Sequence, residues 1–113
     1  MQIVKKSESI KHQNSELCDA FEYPTRDKSI SGALIELRGR YPTEGFVVNE
    51  KCKELGYVIK GSGKLIVEDK EVDLSEGDLV LIDSGEKYFW DGNMTLFMPC
   101  APAWYPEQHK QTK

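Results

Sequence analysis

Between Glu54 and Gly92 the chain alternates short β-prone runs with glycine turns at regular distances, and that rhythm leaves few architectures open to it. Glu54-Leu-Gly-Tyr-Val-Ile-Lys-Gly61 reads as a strand closing on a glycine turn, and Gly77 to Gly85 as a second one. Upstream, Ala33, Ile35 and Leu37 alternate with Leu34, Glu36 and Arg38, and the run stops at Gly39 and Pro42. Leu65 and Val67 alternate with Lys64, Ile66 and Glu68, and the turn Asp69-Lys70 leads into Glu71 to Leu74. Lys87 to Trp90 and Met94 to Met98 are further strands, joined by Asp91-Gly92-Asn93, whose residue types tolerate the positive φ of a tight turn. Strands of about five residues with turns roughly every 8–12 residues predict an all-β sandwich or barrel. No helical periodicity lasts more than a turn or two.

Length and charge narrow the class further. A chain of 113 residues forms one domain (residues 1–113) with a single core. Within it, 1–29 form an N-terminal edge segment, 30–100 the barrel-like core, and 101–113 a tail that prolines 102 and 106 keep irregular. The net charge of -4, with both signs interspersed, excludes the basic face that nucleic acid requires. No apolar run reaches membrane-span length, and Met1-Gln-Ile-Val-Lys-Lys lacks the apolar stretch of a signal peptide, so a cytoplasmic protein is expected. Cys18, Cys52 and Cys100 are an odd set without paired spacing, which predicts three reduced thiols. Leu55, Tyr57 and Ile59 share one face of their strand, and Gly56 and Val58 share the other. With both faces apolar, both should be covered, the outer one by the N-terminal segment or by a second subunit; a homodimer is the expectation.

On these residues the chain resembles the small bacterial cupins, over roughly residues 30 to 106. The family's first motif sets two histidines one residue apart, then a glutamate, then a glycine; Glu54 and Gly61 match its second half. The histidine positions fall on Val48 and Glu50 with the shorter spacing, or on Val47 and Asn49 with the longer. In the second motif Gly77 and Gly85 match, Asp83 stands for the proline, Tyr88 for the histidine and Gly92 for the asparagine. The resemblance implies a cupin double-stranded β-helix, a jelly-roll barrel. It also implies that the three histidines and the glutamate of a metal-binding cupin are reduced here to Glu54. No metal or other cofactor is therefore expected, since losing three imidazoles removes most of the affinity for Fe, Mn, Ni or Zn. An oxygen-only site of Glu50, Glu54 and Tyr88 would be a poor one.

If Tyr88 faces inward, Trp90 does too, because strand side chains alternate. The mouth would then present Glu50, Glu54, Tyr88 and Trp90 as ligand-binding residues. Aromatic rings stack on a sugar or heterocycle, and carboxylates hold its hydroxyls or amines. The competing reading is that Tyr88 and Trp90 only fill the barrel. Glu50 sits in the hydrophilic run Asn49-Glu-Lys-Cys-Lys53, where a solvated loop is the alternative, whereas Glu54 opens an apolar strand with Tyr88 as its natural donor. Three functions stay open. One is metal-independent binding of a small polar or carbohydrate-like ligand; another is a metal-independent isomerase, epimerase or lyase with Glu54 and Tyr88 as the catalytic acid/base pair; the third is a metal-dependent enzyme with atypical ligands. Lys87 is expected on the outer surface, Trp104 and Tyr105 as an anchor for the tail, and His109 as a mobile surface residue.

Overall fold

The computed structural model describes residues 1–112 and is built almost wholly of β-structure. In chain order the strands are β1 (Ile10–Ser15), β2 (Cys18–Tyr23), β3 (Ser31–Tyr41), β4 (Phe46–Asn49), β5 (Lys53–Val67), β6 (Lys70–Ser75), β7 (Leu79–Ile82), β8 (Lys87–Ala101) and β9 (His109–Thr112). A short 3-10 turn, Lys6–Glu8, precedes β1, and a second, Pro106–Gln108, leads into β9. No helix among the described residues is long and apolar enough to cross a membrane.

The fifteen-residue β8 is the spine. It pairs antiparallel with β3 on one side and with β5 on the other, and its first residues also pair with β4. β5 carries β6 on its second half and β7 on its first, while β1 and β2 extend the sheet beyond β3. The sheet curls until its inner face encloses the core. Tyr88, Trp90, Met94, Leu96, Met98 and Cys100 of β8 all point inward and are buried, a period of two with the partly buried Gly92 in the remaining place. Leu37 of β3, Val47 of β4, Val58 and Leu65 of β5, Leu74 of β6 and Ile82 of β7 meet them.

Two expected turns prove to be bends within continuous strands. β5 runs through Gly61 (φ 86°), and β8 runs through Asp91-Gly92-Asn93 (Gly92 φ 145°). The cause is a close approach of backbones: Gly39, Gly92 and Gly63 lie side by side across β3, β8 and β5, and a Cβ on Gly92 would stand 2.5 Å from the Gly63 Cα. Positive φ without a Cβ is what a tight turn needs, and it is also what a sharply bent strand needs. A register shift between Val58 and Lys60 also changes which residues of β5 face inward, from Gly56 and Val58 to Leu65.

The outer face differs from the expectation in one respect. The N-terminal segment joins the sheet edge as β1 and β2 instead of lying over β5. Leu55, Tyr57, Ile59, Leu79, Leu81 and Phe97 are consequently exposed on the single chain. The tail is likewise not irregular. β8 continues to Ala101, and β9 pairs antiparallel with β4, Phe46 opposite Thr112 and Asn49 opposite His109.

Candidate active site

Strand alternation decides which register of the sequence motif is real. In β4, Val47 and Asn49 are buried, Val48 is only partly so, and Glu50 just beyond the strand is exposed. A one-residue slip reverses every side chain. The inward positions are therefore Val47, Asn49, Glu54 and Tyr88. Glu50 points away from the interior and does not line the cavity, which corrects its place among the expected ligand-binding residues. Glu54 and Tyr88 do meet: Tyr88 donates its hydroxyl to Glu54 Oε1 at 3.3 Å. Trp90 sits beside Tyr88 edge-on, with ring centroids 6.4 Å apart, and its indole lies over Gly56, where any larger residue would crowd it.

The polar network around Glu54 can be oriented from the backbone outward. The backbone N–H groups of Lys51 and Cys52 both donate to Gln108 Oε1, each at 3.2 Å. That fixes the buried Gln108 amide with its nitrogen toward Asn49, and Nε2 donates to Asn49 Oδ1 at 3.0 Å. Asn49 Oδ1 is thus an acceptor and its nitrogen a donor, and Nδ2 donates to Glu54 Oε1. His109 Nδ1 lies 2.7 Å from the same Asn49 oxygen, so Nδ1 carries the proton and donates. Neutral His109 then offers Nε2 as an acceptor, and the Tyr41 hydroxyl donates to it at 3.1 Å. Two donors converge on Glu54 Oε1, and Oε2 has no hydrogen-bond partner among the described residues.

Tyr41, Glu54, Tyr88 and His109 line the buried end of a cavity of about 510 Å³. Trp90, Met98 and Trp104 supply apolar walls, and Ile10, His12 and Glu22 stand at its open end. There His12 Nε2 lies 3.0 Å from Glu22 Oε1. Burial sets the proton affinities. It raises the Glu54 carboxyl above the usual carboxylate range against the opposing hydrogen bonds from Asn49 and Tyr88. It lowers His109, favouring neutral imidazole, and pushes the Tyr41 phenol up to about 12. Tyr88 is raised well above an ordinary phenol by burial and then by the Glu54 charge.

Sequence reasoning missed His109, together with Tyr41 and Gln108 of the same network. His109 is partly buried, bonded at both ring nitrogens and close to Trp104, with ring centroids 5.6 Å apart; it is not a mobile surface group. Trp104 does anchor the tail, through its backbone N–H to Ser31 Oγ at 3.1 Å, and also walls the cavity. Lys87 is exposed as expected, Arg38 pairs with Asp19 at 2.8 Å, and Arg40 stacks on Phe89 at 3.8 Å. The three thiols are free and buried, and burial raises Cys18 to about 11, so none is a ready nucleophile.

The donor set does not suit a transition metal. Val47 has no donor atom, Asn49 presents its NH₂ to Glu54, and Tyr88 commits its hydroxyl to the same carboxyl. Among the described residues no three His, Cys, Asp or Glu side chains cluster closely enough to hold an ion.

A family described as the cupin domain matches residues 41–96. Streptomyces PAC13 with uridine superimposes with a TM-score of 0.90 at 18% identity, covering 100% of this chain and 91% of that one. Another structure of Pac13, there called a unique nucleoside dehydratase, gives 0.89 at 18% identity, with coverage of 100% and 92%. KdgF from Halomonas sp. gives 0.70 at 13% identity, with coverage of 89% and 94%. No curated protein sequence matches the chain.

Proposed function

We propose, from the premise that this chain is a cupin-domain protein, that its barrel binds a small hydroxylated ring compound, a nucleoside or sugar, without a transition metal. The observation that carries this reading is Glu54: one carboxyl oxygen is held by Asn49 and Tyr88, while the other is free to receive a ligand hydroxyl. A hydrogen bond there fixes orientation, and Trp90 and Trp104 supply faces for a ring. The cavity volume of about 510 Å³ lies within the range of small-molecule sites. Uridine in Pac13 suggests which compounds to try first.

Uridine and a panel of nucleosides and sugars, titrated while tryptophan fluorescence is followed, test the proposal. At least one compound is expected to change the emission, and Trp90→Ala is expected to weaken it about tenfold or more, within the ~1–3 kcal/mol of a stacked ring. Affinity unchanged in both Trp90→Ala and Tyr88→Ala would sink the site. A second reading, acid/base catalysis at Glu54, is favoured by its raised proton affinity and by the neutral His109 imidazole joined to it through the Asn49 amide.

We also infer a homodimer through the outer face. Leu55 opposite Leu81 and Tyr57 opposite Leu79 and Phe97 form an uncharged apolar strip, which can match a copy of itself without charge repulsion. Light scattering should give twice the chain mass, falling to one chain mass in Leu81→Lys; one chain mass for the wild type would contradict this. Three free, buried thiols suit a reducing compartment, and we infer a cytoplasmic location.

A further inference from the structure

The C-terminal strand brings a second proton-carrying group into the cavity, and the hydrogen-bond directions already fixed say how it is connected. Asn49 Oδ1 accepts from His109 Nδ1 at 2.7 Å, and the nitrogen of the same amide donates to Glu54. Tyr41 donates to His109 Nε2 at 3.1 Å and lines the cavity, so its oxygen keeps lone pairs for a ligand. The order is thus Tyr41, His109, Asn49, Glu54, with every donor and acceptor assigned. We propose that Tyr41, His109 and Asn49 form a proton-accepting relay that is coupled through the Asn49 amide to Glu54 as the proton donor, so that the site eliminates water from a hydroxylated ring compound.

This rests on the cavity being the ligand site. The substrate class is a ring compound with a C–H made acidic by an adjacent carbonyl and a hydroxyl on the next carbon. The ligand proton passes to the Tyr41 oxygen while the Tyr41 proton passes to His109 Nε2. The electron pair of the broken C–H bond becomes the new C=C bond. The C–O bond breaks, and the departing oxygen takes the proton from Glu54 Oε2 and leaves as water. His109 ends as imidazolium and Glu54 as carboxylate, and one proton returned through solvent from the first to the second restores the site. No other reactant is required. Asn49 links the halves because positive charge on His109 polarises its amide and strengthens the bond that its nitrogen donates to the developing Glu54 carboxylate. Tyr41 and His109 are the groups that touch the substrate on the accepting side, while Asn49 is a positioning residue. The titratable groups facing this relay are Cys18 from β2, Tyr41 from β3, Glu54 from β5 and Tyr88 and Cys100 from β8, with Cys52 just before β5.

Nitrogen-15 NMR of the His109 ring and carbon-13 NMR of the Glu54 carboxyl, followed over pH in the full chain, test the relay without a substrate. The expected result is the Nδ1–H tautomer in the neutral protein and a His109 signal that also moves as Glu54 titrates. In Glu54→Gln that second step should disappear, and in Tyr41→Phe the Nε2 signal should shift. Asn49→Asp should keep the tautomer and move the His109 titration upward. An Nε2–H tautomer, or a His109 titration identical in wild type and Glu54→Gln, would overturn the relay. Uridine quenching of Trp90 in the same samples reports separately on the cavity as a ligand site, so the two ideas fail independently.

Discussion

Gly92→Ala is expected to leave no folded protein, although it adds one methyl group. Gly92 has φ 145°, and its added Cβ would meet the Gly63 Cα at 2.5 Å and the Ser62 carbonyl oxygen at 2.7 Å. Both are backbone atoms of the neighbouring strand, so no side-chain rotation relieves the contact. β8 would have to part from β5 where the two pair, and that pairing holds Tyr88 and Trp90 inside. Backbone strain alone costs about 1–3 kcal/mol, and separating paired strands adds more; small domains hold only about 5–15 kcal/mol in total. Circular dichroism should show lost β-signal, or a melting temperature lowered by more than about 15 °C. Gly77→Ala is the control: φ is also positive (91°), but nothing lies within 4 Å of the added Cβ, and only strain of about 1 kcal/mol is expected. Equal melting temperatures for the two variants would contradict the bent-strand account.

Glu54→Gln should stabilise the protein at neutral pH while removing ligand binding. Gln keeps the shape, and its carbonyl oxygen can accept from both Asn49 and Tyr88. What it removes is a carboxyl whose burial disfavours the charged form. Because the folded-state pKa is raised, the native protein binds more protons than the unfolded chain between the two values. Stability from this group is then full below the ordinary carboxylate range and is lost as pH rises through the folded pKa. The gain in Glu54→Gln should therefore be present at pH 7 and vanish at low pH. His109 acts with the opposite sign: its pKa is lowered, so stability is present above the ordinary histidine range and lost as pH falls through the folded value. Thermal melts across pH 4–8 separate the two. A Glu54→Gln protein less stable than wild type at pH 7 would show that the carboxylate is a favourable partner in its network.

Much of this was readable as alternation. That Tyr88 and Trp90 share the interior follows from period two, and the same parity continues through Met94, Leu96, Met98 and Cys100. The inward carboxylate of Glu54 and the Tyr88 donor were legible too, from an acidic residue opening an apolar strand. Glycine function was not. Gly61 and Gly92 carry the chemistry of turns, and only the adjoining backbones of β3, β5 and β8 show that the strands continue. The choice between Asn49 and Glu50 turned on a one-residue register that the motif spacing left open. Gln108 and His109 were invisible for a third reason. Their run is polar, without apolar periodicity, and its partner β4 lies about sixty residues earlier, Asn49 pairing with His109. The one available signal was a histidine soon after the aromatic pair Trp104-Tyr105.

A crystal structure of protein purified without chelators and soaked with uridine, or with whichever nucleoside or sugar quenches Trp90, puts the reading of the site to its most direct trial. The account expects a ring between Trp90 and Trp104 and a ligand hydroxyl within hydrogen-bond distance of Glu54 Oε2. A transition ion held by Glu54 and His109, or the compound bound only outside the barrel, would contradict it.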